Sequence, residues 1–558
     1  MVLMKSYKQK REICRRVAQF KKPKANAKLV AKNTFLLYLR MLVVMFVGLF
    51  TGRVLLKALG VNDYGYGNVA GAVISMFTFI NGSLSTASSR FLTVEMGKGT
   101  PGSIKRTFST ILIVHFILAA IFVVLLETVG LLVLETKLNI EPSRIFACKW
   151  VYHCGVISVF LGVTQVPYGA VIIAHERMNA FAWMTIYDVV VKLAIALALI
   201  CYSGDRLILN STLWIISGIT TRMIYRIYCV RNFSEARFRR VFDRKLLKPI
   251  FSFAGWQISA QTVQMLLGAG ITMLNQRYFG PAIVAAIAIA HNVNGHVQSF
   301  IGNFKTASVP QIVKLYADGQ YAASKNMLIN MIHISVYLFL VLGVPIFTYS
   351  NEALTIWLGD AMPEYSPIFV KFIMLGTFFY LYETSFYQLL YAAGRIKENA
   401  FVNFVLGAGT FVFAFVLVDY TRNVLVSCIM LMLYHIMQGM VGKPLLARHI
   451  GRYSMADFER VYLPTLSALV ICGSIAYGVK YLMPQGLVWT IPSCVIIVLL
   501  NTAAIYFLVA SEAIRKNLLK IVARMPVIGT PAANAIAATS VIVDAFRRRI
   551  VSGRRTSD

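Results

Sequence analysis

The chain has 558 residues, 58% of them hydrophobic and only 14% charged, with a formal net charge of +32 and a mean hydropathy of +0.67. A soluble domain carries about a quarter charged residues, so this chain lacks the polar groups to cover its own surface, and part of its solvent is lipid. The positive charge does not mark a nucleic-acid binder: the basic residues sit between apolar stretches, where they act as topology signals facing a cytoplasm and an anionic leaflet.

Residues 1–32 form a basic cytoplasmic tail with Lys5, Lys8, Lys10, Arg11, Arg15, Arg16, Lys21, Lys22, Lys24, Lys28 and Lys32. A cleavable signal would need an apolar core soon after a brief basic start. Beyond the tail, fourteen segments hold the ~20 mostly apolar residues that a membrane-crossing helix needs. They lie near 33–57, 66–90, 108–133, 144–172, 180–202, 207–230, 251–275, 282–308, 327–349, 366–392, 399–418, 423–443, 461–483 and 487–510. The connections alternate in charge. One set is basic: the N-terminal tail, Lys98 to Arg106, Arg231 to Lys248, Lys443 to Arg460, and the tail 511–558 with Arg547, Arg548 and Arg549. The other set is neutral or acidic: Glu127, Glu135 and Glu141, then Glu352, Asp360 and Glu364. This asymmetry places both termini in the cytoplasm, consistent with an even number of crossings, which puts them on one side. The basic stretch 231–250 reads as a solvated linker.

The two sides of that linker resemble each other at a constant offset of 220 residues. Gly60 matches Gly280, and Gly82-x-x-x-Thr86-Ala87-Ser88 matches Gly302-x-x-x-Thr306-Ala307-Ser308. Gly99 matches Gly319, Thr164 matches Thr384, and Asn179-Ala180-Phe181 matches Asn399-Ala400-Phe401. The expected architecture is therefore an all-α integral membrane protein with two six-helix bundles, 33–230 and 251–443, and two extra helices over 461–510. Six is even, so both bundles have the same orientation, and the pseudo-twofold axis lies along the membrane normal. Two such bundles leave a cleft between them that rocking would open to either side.

The eighth span is unusually polar. His291, Asn294, Gln298, Gly302 and Lys305 recur at steps of three or four and share one face, flanked by Asn292, His296 and Asn303. The seventh span carries Gln257, Gln261, Gln264, Gly268, Thr272 and Asn275, and the first carries Arg40 and Arg53. Small residues alone would mean close helix packing. Cations, amides and imidazoles together mean a hydrated cavity, because lipid would not accept them. Arg40, Lys305, His291, Asn294, Gln298, Gln261 and Gln264 are the substrate-binding candidates. Glu383, with no local partner in sequence, is the candidate for coupling a cation such as H+ or Na+. Asp188 and Lys192, spaced i, i+4, are expected to neutralise each other. Lys149 and His153 are expected to snorkel.

No catalytic, metal or cofactor site is expected. The eight cysteines contain no Cys-x-x-Cys pair, His175-Glu176 is followed by Asn179 where a zincin helix has its second histidine, and there is no nucleotide-binding G-x-x-x-x-G-K-[ST] run.

The stretch from Lys32-Asn33-Thr34 through LYLRML at 37–42, LGVNDYG at 59–65, FINGSLSTASSRFL at 79–92 and EMGKG at 95–99 resembles the polysaccharide-exporting branch of the MATE-like flippase superfamily. It is most similar to Wzx-type O-antigen or lipopolysaccharide flippases of Bacteroides-like bacteria. The resemblance implies a V-shaped pair of bundles that moves an undecaprenyl-pyrophosphate-linked oligosaccharide to the periplasmic leaflet of the inner membrane, with cavity cations holding the pyrophosphate. The expected partners are that cargo, membrane lipid and a coupling ion, with no nucleic acid. Many drug-exporting relatives carry an acidic residue in the first span; here Arg40 and Arg53 stand instead, which favours an anionic cargo. Two other readings are a cation-coupled multidrug or metabolite antiporter of the same fold and a membrane-embedded polysaccharide-processing enzyme. The first predicts an acidic cavity and the second a large periplasmic loop, and the sequence has neither.

Overall fold

The computed structural model describes residues 44–69, isolated positions between 71 and 95, and then 101–515 apart from 138–139, 176, 239–262, 264, 394, 450–452 and 513. Among the described residues the protein is helical, with no strand. Helix α1 (Val44–Leu59) and helix α2 (Val61–Val69) form a pair bent by 112°. The bend is at Gly60, whose φ of 80° favours a residue without a Cβ. Gly280, its match at the 220-residue offset, has a φ of 82° and also separates two helices.

The rest of the N-terminal half contains α3 (Pro101–Leu125), α4 (Leu131–Lys137), α5 (Ile145–Ala174), α6 (Met178–Ile200) and α7 (Arg206–Asn232). The C-terminal half contains α8 (Ile271–Phe279), α9 (Pro281–Ala317), α10 (Tyr321–Thr348), α11 (Ser350–Leu358), α12 (Ser366–Ala392), α13 (Ile396–Thr421), α14 (Val426–Met437) and α15 (Lys443–His449). It is followed by α16 (Met455–Leu482) and α17 (Leu487–Ala504). Single π-turns interrupt the helices at Leu126–Gly130, Leu266–Gly270, Gln438–Gly442 and Ile505–Val509.

Among the described residues nine helices are long and apolar enough to cross a membrane, or ten if the bent α1–α2 pair counts as one span. The protein is therefore a multi-pass membrane protein. Helices α9 and α12, at 37 and 27 residues, are long enough but are not among the nine; α9 is the span whose polar face stands out in the sequence. Most of the expected 66–90 span and the first half of the 251–275 span lie outside the described residues, as does the tail 516–558. Faces turned away from the interior are apolar. On α13, for example, Phe401 is 69% exposed and Phe413 63% exposed. Such a contiguous surface is tolerable only against lipid.

Two cores hold the halves together. One joins α3, α5 and α7 through Phe108, Tyr152, Val163 and Tyr225. The other runs from Ile283 through Leu328, Phe369 and Phe378 to Val461, Cys472 and Ile497, so α16 and α17 pack on α10 at the outer side of the C-terminal half. Leu56 of α1 and Tyr64 of α2 belong to this second core. The start of the N-terminal bundle is thus buried against the other half. The linker is also not wholly solvated. Phe233 and Ala236 are buried in the N-terminal core, Phe233 stacks on His175, and Glu235 pairs with His175.

Candidate functional site

The polar face of α9 looks into a chamber of about 350 Å³ inside the C-terminal half. His291, Asn294 and Gln298 line it from α9, Thr377 and Tyr380 from α12, and His435 from α14, with Leu267 and Gly268 contributed by the π-turn before α8. A π-turn widens the helix locally, and such bulges recur at functional sites. The Thr377 hydroxyl donates to Asn294 Oδ1 at 2.8 Å, which leaves the Asn294 amide hydrogens as donors beside the chamber. Three of the candidate residues are therefore brought together. Arg40, Gln261 and Gln264 lie outside the described residues. Arg53 is exposed on α1.

Glu383 has a partner that the sequence conceals. It is 4% exposed, and its carboxylate meets His435 Nδ1 at 3.0 Å. The imidazole is flanked edge-on by Tyr380 and Tyr434, at centroid distances of 5.1 and 5.2 Å. Lys305 is not free either. Its ammonium donates to Thr384 Oγ1 at 2.5 Å and to the Leu381 carbonyl at 3.2 Å, which leaves a third donor. Lys443, read in the sequence as part of a basic loop, is 1% exposed and donates to the amide oxygens of Asn399 and Asn403. His435 lines the chamber, and Glu383 stands behind it as the imidazole's partner.

The N-terminal half has a comparable chamber of about 390 Å³. Tyr64 and Asn68 of α2, Ser158 of α5, and Asn210 and Ser211 of α7 line it. Asn210 Oδ1 is buried without a hydrogen bond among the described residues. Gly71 and Ser211 here stand 220 residues before His291 and Leu431 of the other chamber.

The halves touch along a glycine seam at the end of the molecule that bears Gly60 and Gly280. A Cβ on Gly48 would lie 3.3 Å from His296 Cε1, and one on Gly52 would lie 3.3 Å from Asn292 Nδ2. A Cβ on Gly65 would overlap the Pro281 carbonyl. The Trp357 indole of α11 donates to the Leu49 carbonyl at 2.9 Å. Beside the seam, Arg144 bridges Asp63 at 2.5 Å and Asp205 at 2.7 Å, tying the ends of α2, α5 and α7 together. Asp205 also caps α7 through the amides of Leu207 and Ile208. Asp188 and Lys192 pair at 2.7 Å. Lys149 and His153 do not simply snorkel: they pair with Glu135 at 2.5 Å and with Glu127 at 3.0 Å.

The sequence model of the family described as "Polysaccharide biosynthesis protein" matches residues 30–316, just over half of the chain. The chain belongs to this family. No curated protein matches it in sequence. In fold it is similar to the lipid II flippase MurJ in an inward closed conformation, with a TM-score of 0.65 at 11% identity over 85% of this chain and 99% of that one. It is also similar to an inward-facing multidrug resistance MATE family transporter of the MOP superfamily, with a TM-score of 0.62 at 11% identity over 73% of this chain and 94% of that one. The chain thus shares its fold with solved flippase and transporter structures.

Proposed function

We propose that the protein is a flippase carrying an undecaprenyl-pyrophosphate-linked oligosaccharide across the bacterial inner membrane for surface polysaccharide or lipopolysaccharide assembly, by alternating access. The observation that carries this reading is the chamber wall of neutral amides, a hydroxyl and imidazoles in a member of the polysaccharide biosynthesis family. Leaving one hydroxyl unpaired in hydrocarbon costs about 4–8 kcal/mol, so a headgroup of several sugars meets a barrier of tens of kcal/mol. His291, Asn294 and Gln298 offer hydrogen bonds in exchange, while the lipid tail stays in the bilayer. Arg40 and the spare donor of Lys305 would hold the pyrophosphate, with Gln261 and Gln264 of the seventh span as further hydrogen-bonding candidates.

In this reading both termini are cytoplasmic, the bundles 33–230 and 251–443 rock against each other, and the glycine seam is the closed periplasmic gate. The test is periplasmic delivery of lipid-linked glycan in a flippase-deleted strain that expresses this chain. Restored delivery is expected. No delivery at normal membrane levels, with several glycans offered, would overturn the reading.

The Glu383–His435 pair favours a second reading, a cation-coupled antiporter of a small solute. A chamber of about 350 Å³ is within the range of small-molecule sites. Gradient-driven efflux of a solute by the same strain, without glycan delivery, would select it.

A further inference from the structure

A second hollow lies on the other side of α12. It has a volume of about 410 Å³ and is walled by α10, α12 and α16. Lys371, Met374, Leu375 and Phe378 of α12 face it, whereas Ile373, Gly376, Thr377 and Tyr380 face the polar chamber. At 3.6 residues per turn these two sets occupy opposite sides of the helix. α12 is therefore a partition between a polar chamber and an apolar groove.

The groove is graded along its length. Its deep end is Phe339, Phe378 and Leu469, and its mouth holds Lys371, Thr348 and Lys480. From Leu469 to Lys480 along α16 is about 16 Å at 1.5 Å per residue, roughly half of a ~30 Å hydrocarbon core. The groove thus spans one leaflet, apolar at the bilayer centre and cationic at the surface. Lys480 meets Glu352 at 3.0 Å and the Thr348 carbonyl at 2.9 Å, and its ammonium stands 4.8 Å over the Tyr349 ring. Lys371 is exposed and makes no hydrogen bond or ion pair among the described residues. Two lysines against one carboxylate leave the mouth with a net positive charge. Tyr477 is 75% exposed, so the groove is open to the bilayer. Gly473 lies along its wall, and a Cβ there would meet nothing within 4 Å.

We propose that this groove binds an anionic glycerophospholipid of the leaflet at the Gly60/Gly280 end, with an acyl chain against Phe339, Phe378 and Leu469 and the phosphate at Lys371 and Lys480. Charge complementarity selects the head, and the single-leaflet depth selects the tail. The groove lies behind α12 from the polar chamber, so a bulk membrane lipid fits it and the transported carrier lipid does not. A lipid held there bears on the same helix that carries Glu383 and Thr377, and fixes one wall of the chamber.

The test uses the full chain in mixed micelles, with native mass spectrometry counting retained phosphatidylglycerol and phosphatidylcholine of equal chain length. Wild-type protein should retain the anionic lipid in preference by roughly fivefold, the factor set by one basic residue against an anionic membrane lipid. Lys371→Gln, an exposed change, should bring the ratio close to one without lowering the melting temperature. Gly473→Leu fills open space and should remove the tightly held lipid of either type. Equal retention by wild type, an unchanged ratio in Lys371→Gln, or full retention in Gly473→Leu would each overturn the proposal. So would displacement of phosphatidylglycerol by substoichiometric undecaprenyl phosphate, which would give the groove to the carrier. None of these readouts depends on transport, so the proposal can fail while the flippase reading stands.

Discussion

The indole nitrogen of Trp357 donates to the backbone carbonyl of Leu49 at 2.9 Å, joining residues 308 positions apart. It is a contact between the two halves, and it sits where Gly48 and Gly52 let His296 and Asn292 approach α1. In the proposed alternating-access cycle, a contact that closes one end must break when that end opens. The hydrogen bond is to a backbone carbonyl, so no side chain on α1 defines it; the glycines do, by letting the surfaces meet.

Overpacking this seam should hold it open. Forcing a larger side chain into a packed contact costs about 1–3 kcal/mol, which moves a two-state equilibrium by roughly 5- to 150-fold. Gly52→Leu should therefore raise labelling of a cysteine placed at His291 by a membrane-impermeant thiol reagent applied from the periplasm. Trp357→Phe, which removes only the donor, should do so more weakly. Labelling that stays at the wild-type level in Gly52→Leu would mean that the seam is packing and not a gate.

The Glu383–His435 pair predicts a dependence on ion gradients. Glu383→Gln keeps a hydrogen-bond acceptor for the imidazole and removes the charge, so the chamber should stay intact. Transport by Glu383→Gln should lose its dependence on the proton or sodium gradient, and His435→Gln should do the same. Unaltered gradient dependence in both variants, with normal protein levels, would return the pair to a structural role.

The Arg144 bridge predicts a pH effect on stability. Burial pulls the Asp205 carboxyl upward, but the Arg144 guanidinium and the amides of Ile208 and Leu207 outweigh it and hold the group below its usual range. A depressed carboxyl stabilises the folded protein above its unfolded value, near 3.9, and that stabilisation is lost as pH falls through the lower folded value. The part of the stability that Asp205 supplies should therefore be lost on acidification below about pH 4, and Asp205→Asn should flatten that part of the wild-type curve. Asparagine still caps a helix N-terminus, so Asp205→Asn should cost less at neutral pH than Asp205→Ala. Parallel acid profiles for wild type and Asp205→Asn would remove the bridge from the account.

The helical membrane fold is legible in the sequence because lipid demands long apolar runs with their backbone bonds satisfied internally. The polar face of α9 is legible for the same reason: His291, Asn294 and Gln298 are conspicuous in a span because lipid would reject them. Their partners are not conspicuous. Thr377 and Tyr380 are ordinary residues for a membrane helix, and His435 lies 52 positions from Glu383. Periodicity reports which residues share a face, not which face a helix turns to its neighbour. Lys443 shows the opposite failure. It reads as loop charge, but it is enclosed by Asn399 and Asn403, and only the match of Asn399 to Asn179 at the 220-residue offset marked that region.

A cation near mid-membrane costs about 2.5–3.5 kcal/mol on insertion scales. Lys305 offsets part of that cost through Thr384 and the Leu381 carbonyl, both neutral acceptors, so its charge is solvated but not cancelled by a bonded carboxylate. Its third donor suits a phosphate, which forms charge-assisted bonds with an ammonium. Arg40, on the first span, would supply the second cation. Lys305→Ala should reduce glycan delivery several-fold at normal membrane levels. Lys305→Gln should reduce it comparably, although it restores hydrogen bonding to Thr384, because the charge is what the cargo reads. Arg40→Lys should be partly tolerated if a point charge suffices and poorly tolerated if bidentate geometry is required. Arg40→Glu should be worse than Arg40→Ala, because it repels the cargo. If Lys305→Gln delivers glycan as wild type does, the lysine serves only to join α9 to α12 through Thr384. If the double variant Arg40→Glu, Lys305→Glu also delivers glycan fully, cationic capture of the pyrophosphate is excluded.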